Sequence, residues 1–199
     1  MAAEPAARSP AVIRRDAAAK RQVRPRLWQM EAAPDRPRQA YLFALLDAAR
    51  DRRIHPELKR FAARFEVLPL YQRPTAVDLA AVGPYLVCLG RSDEIFDWLW
   101  DNRWGDSWGV FMWSLVSTEN LRAHFRRHTM ARTDDGRRLV FRFYDPRVLL
   151  AFLPTCDVEQ LRDFFGPVQQ FMIESDGGAD LITLRRQAEG LASQARRCG

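Results

Sequence analysis

The sequence predicts an α/β protein: a mixed sheet with flanking helices and a small helical C-terminal lobe. Three observations carry that expectation. Apolar runs of strand length recur at Tyr41–Asp47, Tyr85–Leu89 and Gly109–Val116, as in strands covered on both faces. Segments with helical apolar spacing lie between and after them. The chain has 199 residues, 47% hydrophobic and 28% charged, enough for one sizeable core.

Residues 1–38 read as a flexible basic leader, with Pro5, Pro10, Pro25, Pro34 and Pro37 and few large apolar groups. Leu27, Trp28 and Met30 are its exceptions and are able to dock onto the body. Tyr41–Asp47 reads as a buried strand, although periodicity alone leaves a helix open. Pro56 opens a helix whose stripe is Leu58, Phe61, Ala62 and Phe65. Val67–Gln72 reads as a short strand, and Asp78–Pro84 as one helical turn. Tyr85–Leu89 is a central strand. Ser92 caps a helix, with Asp93 and Glu94 set against its dipole. After the strand Gly109–Val116, Ser117 or Thr118 starts a helix with Leu121 and Phe125 on one face.

Asp134-Asp135-Gly136 signals a hairpin between Thr129–Thr133 and Arg137–Tyr144, in which Leu139, Phe141 and Phe143 share a face. Asp145 is a natural N-cap and Pro146 suits the first helical position. Asp157 with Gln160 forms a capping-box pattern ahead of Val158, Leu161 and Phe165. A strand at Gln170–Glu174 follows. The expected organisation is a leader (1–38), a body (39–174) that turns helical from about 146, and a tail or terminal helix (175–199).

Charge is unevenly placed. The net charge is +6, but residues 1–39 carry +5, residues 181–199 carry +3, and the middle carries −2. The basicity belongs to the ends, which argues against a nucleic-acid groove on the body. No uncharged run exceeds the twelve residues of Ser107–Thr118, short of the ~18 a spanning helix needs. The first residues lack the apolar core of a signal peptide. Cys88, Cys156 and Cys198 are odd in number and lack metal-like spacing, as suits a reduced, cytoplasmic protein.

Candidate chemistry is sparse. His124 and His128 have the i, i+4 spacing of metal ligands, but no third ligand is nearby and Arg126 and Arg127 oppose a cation. His55 reads as a surface or cap residue. Asp47, Asp97, Asp101, Asp106 and Asp145 are carboxylates without a motif. No nucleophile elbow, phosphate loop or dinucleotide fingerprint occurs. The expectation is no catalytic, cofactor or metal residues, and no cofactor. Five of six tryptophans fall between Trp98 and Trp113. Trp98, Trp108 and Trp113 read as core. Trp100 and Trp104, flanking a polar turn, read as exposed anchors for a partner.

Two blocks are distinctive: Trp104-Gly105-Asp106-Ser107-Trp108-Gly109 and Phe141-Arg142-Phe143-Tyr144-Asp145-Pro146-Arg147. With Tyr41–Ala48, Leu70-Tyr71, Gly83–Val87, Leu121-Arg122 and Phe164–Pro167, the sequence over roughly 41–174 resembles the type VI secretion effector-adaptor (effector chaperone) family, first catalogued as a domain of unknown function. The resemblance implies a non-enzymatic bacterial adaptor domain over 39–174. Such an adaptor binds a cognate secreted effector protein and helps load it onto the VgrG spike, with no specific nucleic acid and no membrane as partner. It also implies that the motif residues Trp104, Gly105, Trp108, Gly109, Phe143, Tyr144, Asp145, Pro146 and Arg147 serve the structure. The alternatives are a hydrolase or nuclease-like enzyme using the scattered Asp and His residues, or a polyanion-binding protein using the basic tails.

Overall fold

β1 (Tyr41–Asp47) is apolar along almost its whole length because it lies inside a sheet whose two faces are both covered by helices. The computed structural model describes residues 21, 23–27, 40–71, 81–89, 93–132 and 135–198. In chain order the elements are β1, α1 (Ile54–Phe61), β2 (Val67–Pro69), β3 (Pro84–Cys88), α2 (Asp93–Arg103), β4 (Gly109–Ser114), α3 (Thr118–Arg126), β5 (Met130–Arg132), β6 (Arg138–Val140), α4 (Pro146–Phe152), α5 (Val158–Phe165), β7 (Val168–Ser175), β8 (Asp180–Gln187) and β9 (Gly190–Arg197). Short 3₁₀ turns join several of them.

Seven strands form one sheet in the order β2-β3-β1-β4-β7-β8-β9. Every pairing in it is antiparallel, which corrects the expected mixed sheet. The α2 crossover does return β4 parallel to β3, as a βαβ unit should. β1, however, fills the slot between them and pairs antiparallel with both.

Alternate residues of the strands enter two cores. Leu42, Ala44 and Leu46 face one with α1 and α2, while Phe43 and Leu45 face the other with α3, α4 and α5. Five residues in a row are thereby buried, and the period-2 signal vanishes. The local signals expected at the helix starts are present. The Ser117 side chain accepts from Asn120 N, Asp145 accepts from Arg147 N ahead of Pro146, and Asp157 and Gln160 complete a capping box.

Three expectations change. α4 and α5 lie on the sheet's second core rather than in a separate helical lobe, and the chain after them returns to strands. Residues 180–197, read as tail or terminal helix, form the β8–β9 hairpin closed by Ala188-Glu189. The Ala- and Arg-rich β9 has little strand preference of its own. It is placed by the backbone edge of β8, so pairing overrides propensity. Lastly, residues 23–27 of the leader are helical, and Val23 and Leu27 are fully buried. Trp113 donates from Nε1 to the Leu27 carbonyl at 2.8 Å, and Arg26 donates to the Arg197 carbonyl. Trp28, Met30, Ser92 and Asp78–Ala80 of the expected Asp78–Pro84 turn lie outside the described residues, while Ala81 and Val82 are helical.

Candidate functional site

The two distinctive sequence blocks meet at the C-terminal end of β1. Asp47, fully buried, closes that strand; its backbone N–H donates to the Trp108 carbonyl at 2.8 Å, and its side chain accepts from Ala49 N. Arg142 reaches across from the second block to form an ion pair with the Asp47 carboxylate. That hydrogen bond holds the Arg142 guanidinium above its ordinary pKa. Arg50, one turn beyond Asp47, donates to the Asp106 carbonyl of the first block at 3.0 Å.

The second block is built from the inside outward. Phe143 is fully buried among Phe125, Phe141 and Phe164. Tyr144 is buried with its hydroxyl 3.3 Å from that of Tyr71, and burial first, then this contact, pushes its pKa up. Asp145 caps α4 and receives Nε and Nη2 of Arg147 at 2.9 and 2.6 Å. Burial acts to raise the Asp145 carboxyl, but the Arg147 hydrogen bonds outweigh it and hold the group below its ordinary value. The Asp145 side chain is 4% exposed and that of Arg147 62%. The rim therefore presents guanidinium groups to solvent over carboxylates spent on the fold.

The first block is held by a carboxylate that no sequence motif flags. Glu174, in β7, accepts from Gly105 N and Ser107 N, both at 2.5 Å. Burial pushes its carboxyl up to about 7, against the pull of those two N–H groups. Gly105 has φ +96°, and a Cβ there would stand 2.5 Å from the Gly177 carbonyl oxygen. Gly109 brings β4 onto β1 so closely that a Cβ would lie 2.2 Å from the Leu45 oxygen. Each glycine is needed for a close backbone approach.

Trp100 and Trp104, expected as exposed anchors, are 3% and 7% exposed. Their rings stack at 4.4 Å, and Trp104 donates from Nε1 to the Gly178 carbonyl at 2.8 Å. Trp108 and Trp113 are buried as well. Asp101 and Asn102, expected on a loop, are exposed on the last turn of α2, while Trp100 on that helix and Trp104 just after it are buried. A cavity of about 20 Å³ remains among Leu46, Phe96, Trp100, Trp104, Phe111 and Glu174, room for about one water.

The histidines are structural in their contacts. His124 donates from Nε2 to the Phe164 carbonyl at 2.8 Å and accepts from Arg127 at Nδ1. His128 stacks edge-on to it at 4.9 Å, and its Nε2 is buried without a partner. Burial lowers the pKa of both. His55 shares a 2.9 Å hydrogen bond with the Tyr85 hydroxyl. Among the described residues no group of three or more His, Cys, Asp or Glu side chains is placed to hold a metal ion, and no helix is long and apolar enough to cross a membrane.

Sheet, rim and clamp define a scaffold of the α/β class in which motif residues are spent on joining sequence-distant segments. The chain matches the family model described as Domain of unknown function (DUF4123) over residues 42–163 and belongs to that family. The matched stretch runs from β1 into α5 and contains both blocks. No curated protein and no solved structure matches the chain.

Proposed function

We propose that this protein is a cytoplasmic type VI secretion adaptor that binds a cognate effector and helps load it onto the VgrG spike. The observation that carries the reading is the family match across 42–163, together with the resemblance of its blocks to effector chaperones. The site geometry supports it in kind. Asp47, Asp145 and Glu174, the best-buried carboxylates near the blocks, are each engaged in holding backbone or arginine. Such an arrangement suits a rigid binding scaffold more than general acid–base chemistry, which needs a carboxyl open to a substrate.

The test is reconstitution with the purified products of the adjoining effector and spike genes. A stable complex of the chain with the effector, and its delivery to the spike protein, is the expected result. Failure to bind either protein under conditions where all three are folded would overturn the assignment.

A further inference from the structure

We infer that the β5–β6 hairpin is the docking edge for an extended segment of the effector that carries an apolar residue and a carboxylate two positions apart. The inference rests on the adaptor reading above and adds where the cargo binds and by what chemistry.

Among the described residues the two strands pair only with each other, outside the main sheet, and all six of their residues are exposed. An isolated two-stranded ribbon is marginal in water. This one is anchored at its base, where Phe141 donates from its backbone to the Thr129 carbonyl at 2.9 Å and packs its ring on Phe152. That bond makes Thr129–Phe141 a hydrogen-bonded pair. Antiparallel alternation then makes Met130–Val140 and Arg132–Arg138 the non-hydrogen-bonded pairs. The N–H and C=O groups of those four residues point away from the hairpin, offering both edges to a further strand.

The same four side chains share one face. Met130 and Val140 are 38% and 55% exposed, an apolar pair on open surface. Beside them Arg132 stands directly opposite Arg138, where cross-strand side chains come closest, and like charges so placed repel. Among the described residues neither guanidinium has a carboxylate: Asp135, in the hairpin loop, pairs with Arg137. An apolar pair followed by a cationic pair is the complement of a strand carrying an apolar residue and a carboxylate two positions apart. Addition of such a strand supplies main-chain hydrogen bonds and side-chain specificity together.

The experiment measures affinity of the full chain for the purified product of the adjoining effector gene. The variants are Arg132→Glu/Arg138→Glu, Val140→Asp, and Arg186→Glu as a charge-reversal control on exposed β8. Melting temperatures establish that each is folded. The expected result is a loss of at least tenfold for the first two, none for the control, and a salt dependence in the native chain that the double variant lacks. Native affinity in both hairpin variants overturns the docking edge and leaves the adaptor reading intact. A native chain that binds no effector overturns the adaptor reading, and this occupant with it. Two further results would also overturn the inference by naming another occupant: a dimer of the native chain in sedimentation that the double variant abolishes, or binding to anionic phosphatidylglycerol vesicles lost in the same variant.

Discussion

The tryptophan-rich segment from Trp98 to Trp113 and the β5–β6 hairpin invert what their compositions suggest. The first holds most of the chain's tryptophan, and its Trp100 and Trp104, set among Asp, Asn and Arg, read as interface anchors. The second holds short strands of mixed character and reads as a hairpin whose Leu139 shares a face with Phe141 and Phe143. In the structure Trp100, Trp104, Trp108 and Trp113 are buried, while Met130, Leu139 and Val140 are among the most exposed large apolar residues. The difference lies in what surrounds each segment. The tryptophans sit between a helix and a strand of a seven-stranded sheet, where large side chains fill the space between layers. The hairpin lies beyond the edge of any layer, so modest apolar groups there remain uncovered.

The largest effect that tests this contrast is Trp104→Ala. Removing a buried indole that stacks on Trp100 should cost about 3–5 kcal/mol and leave the buried Gly178 carbonyl without its donor. Urea unfolding measures it. A variant as stable as the native chain would return Trp104 to the surface and restore the anchor reading.

The buried carboxylate beneath that segment makes a pH-dependent prediction. The folded Glu174 carboxyl keeps its proton up to about pH 7, whereas its ordinary value is 4.5. Between those values the native state binds more protons than the unfolded state, so stability contributed by this group falls as pH rises. The slope is at most ~1.4 kcal/mol per pH unit, or on the order of 3 kcal/mol across the window. His124 and His128 work the other way: burial lowers their folded pKa, so their contribution is lost as pH falls through about 6.5. The informative quantity is therefore the difference between native chain and Glu174→Gln in unfolding free energy from pH 4.5 to 7. The gap should close in favour of the variant as pH rises. A gap that is constant with pH would mean that Glu174 does not titrate in this range.

The same two regions show how far the fold was legible. Caps were legible because they are local: Ser117, Asp145 with Pro146, and Asp157 with Gln160 each act within one helical turn. β1 was legible as a buried run, but its antiparallel partners were not, since the choice between parallel and antiparallel neighbours is made by β1 occupying the slot between β3 and β4. The β8–β9 hairpin was misread because Ala192, Ala195 and Arg196 favour a helix locally, and the deciding partner, β8, acts through backbone pairing and the Arg197–Asp180 ion pair. The role of Glu174 was hidden because Gly105 and Ser107 lie about seventy residues away. Its one trace was an acidic residue directly after the apolar run Phe171–Ile173 of β7. The Arg142–Asp47 pair was likewise invisible, although an Asp at the end of an apolar run is itself a sign of a buried partner.

The smallest expected effect separates stability from recognition in the hairpin. Arg138→Glu replaces a repelling cross-strand pair with an attracting one, since Arg132 lies directly opposite on the same face. Opposite-charge pairs at such positions contribute about 0.2–1 kcal/mol, with the low end applying here because both side chains are exposed. The single variant should therefore be slightly more stable than the native chain, by a few tenths of a kcal/mol, and the gain should shrink with added salt. Recognition should move in the opposite direction, because the new pair satisfies Arg132 internally and removes the cationic face offered to an acidic strand. Trp104→Ala would lose binding only by unfolding the body, with both quantities falling together. Arg138→Glu should raise one and lower the other, measured as melting temperature against affinity for the effector in the same buffer. A variant that loses stability and affinity in parallel would show that the hairpin, like the tryptophans, serves the fold.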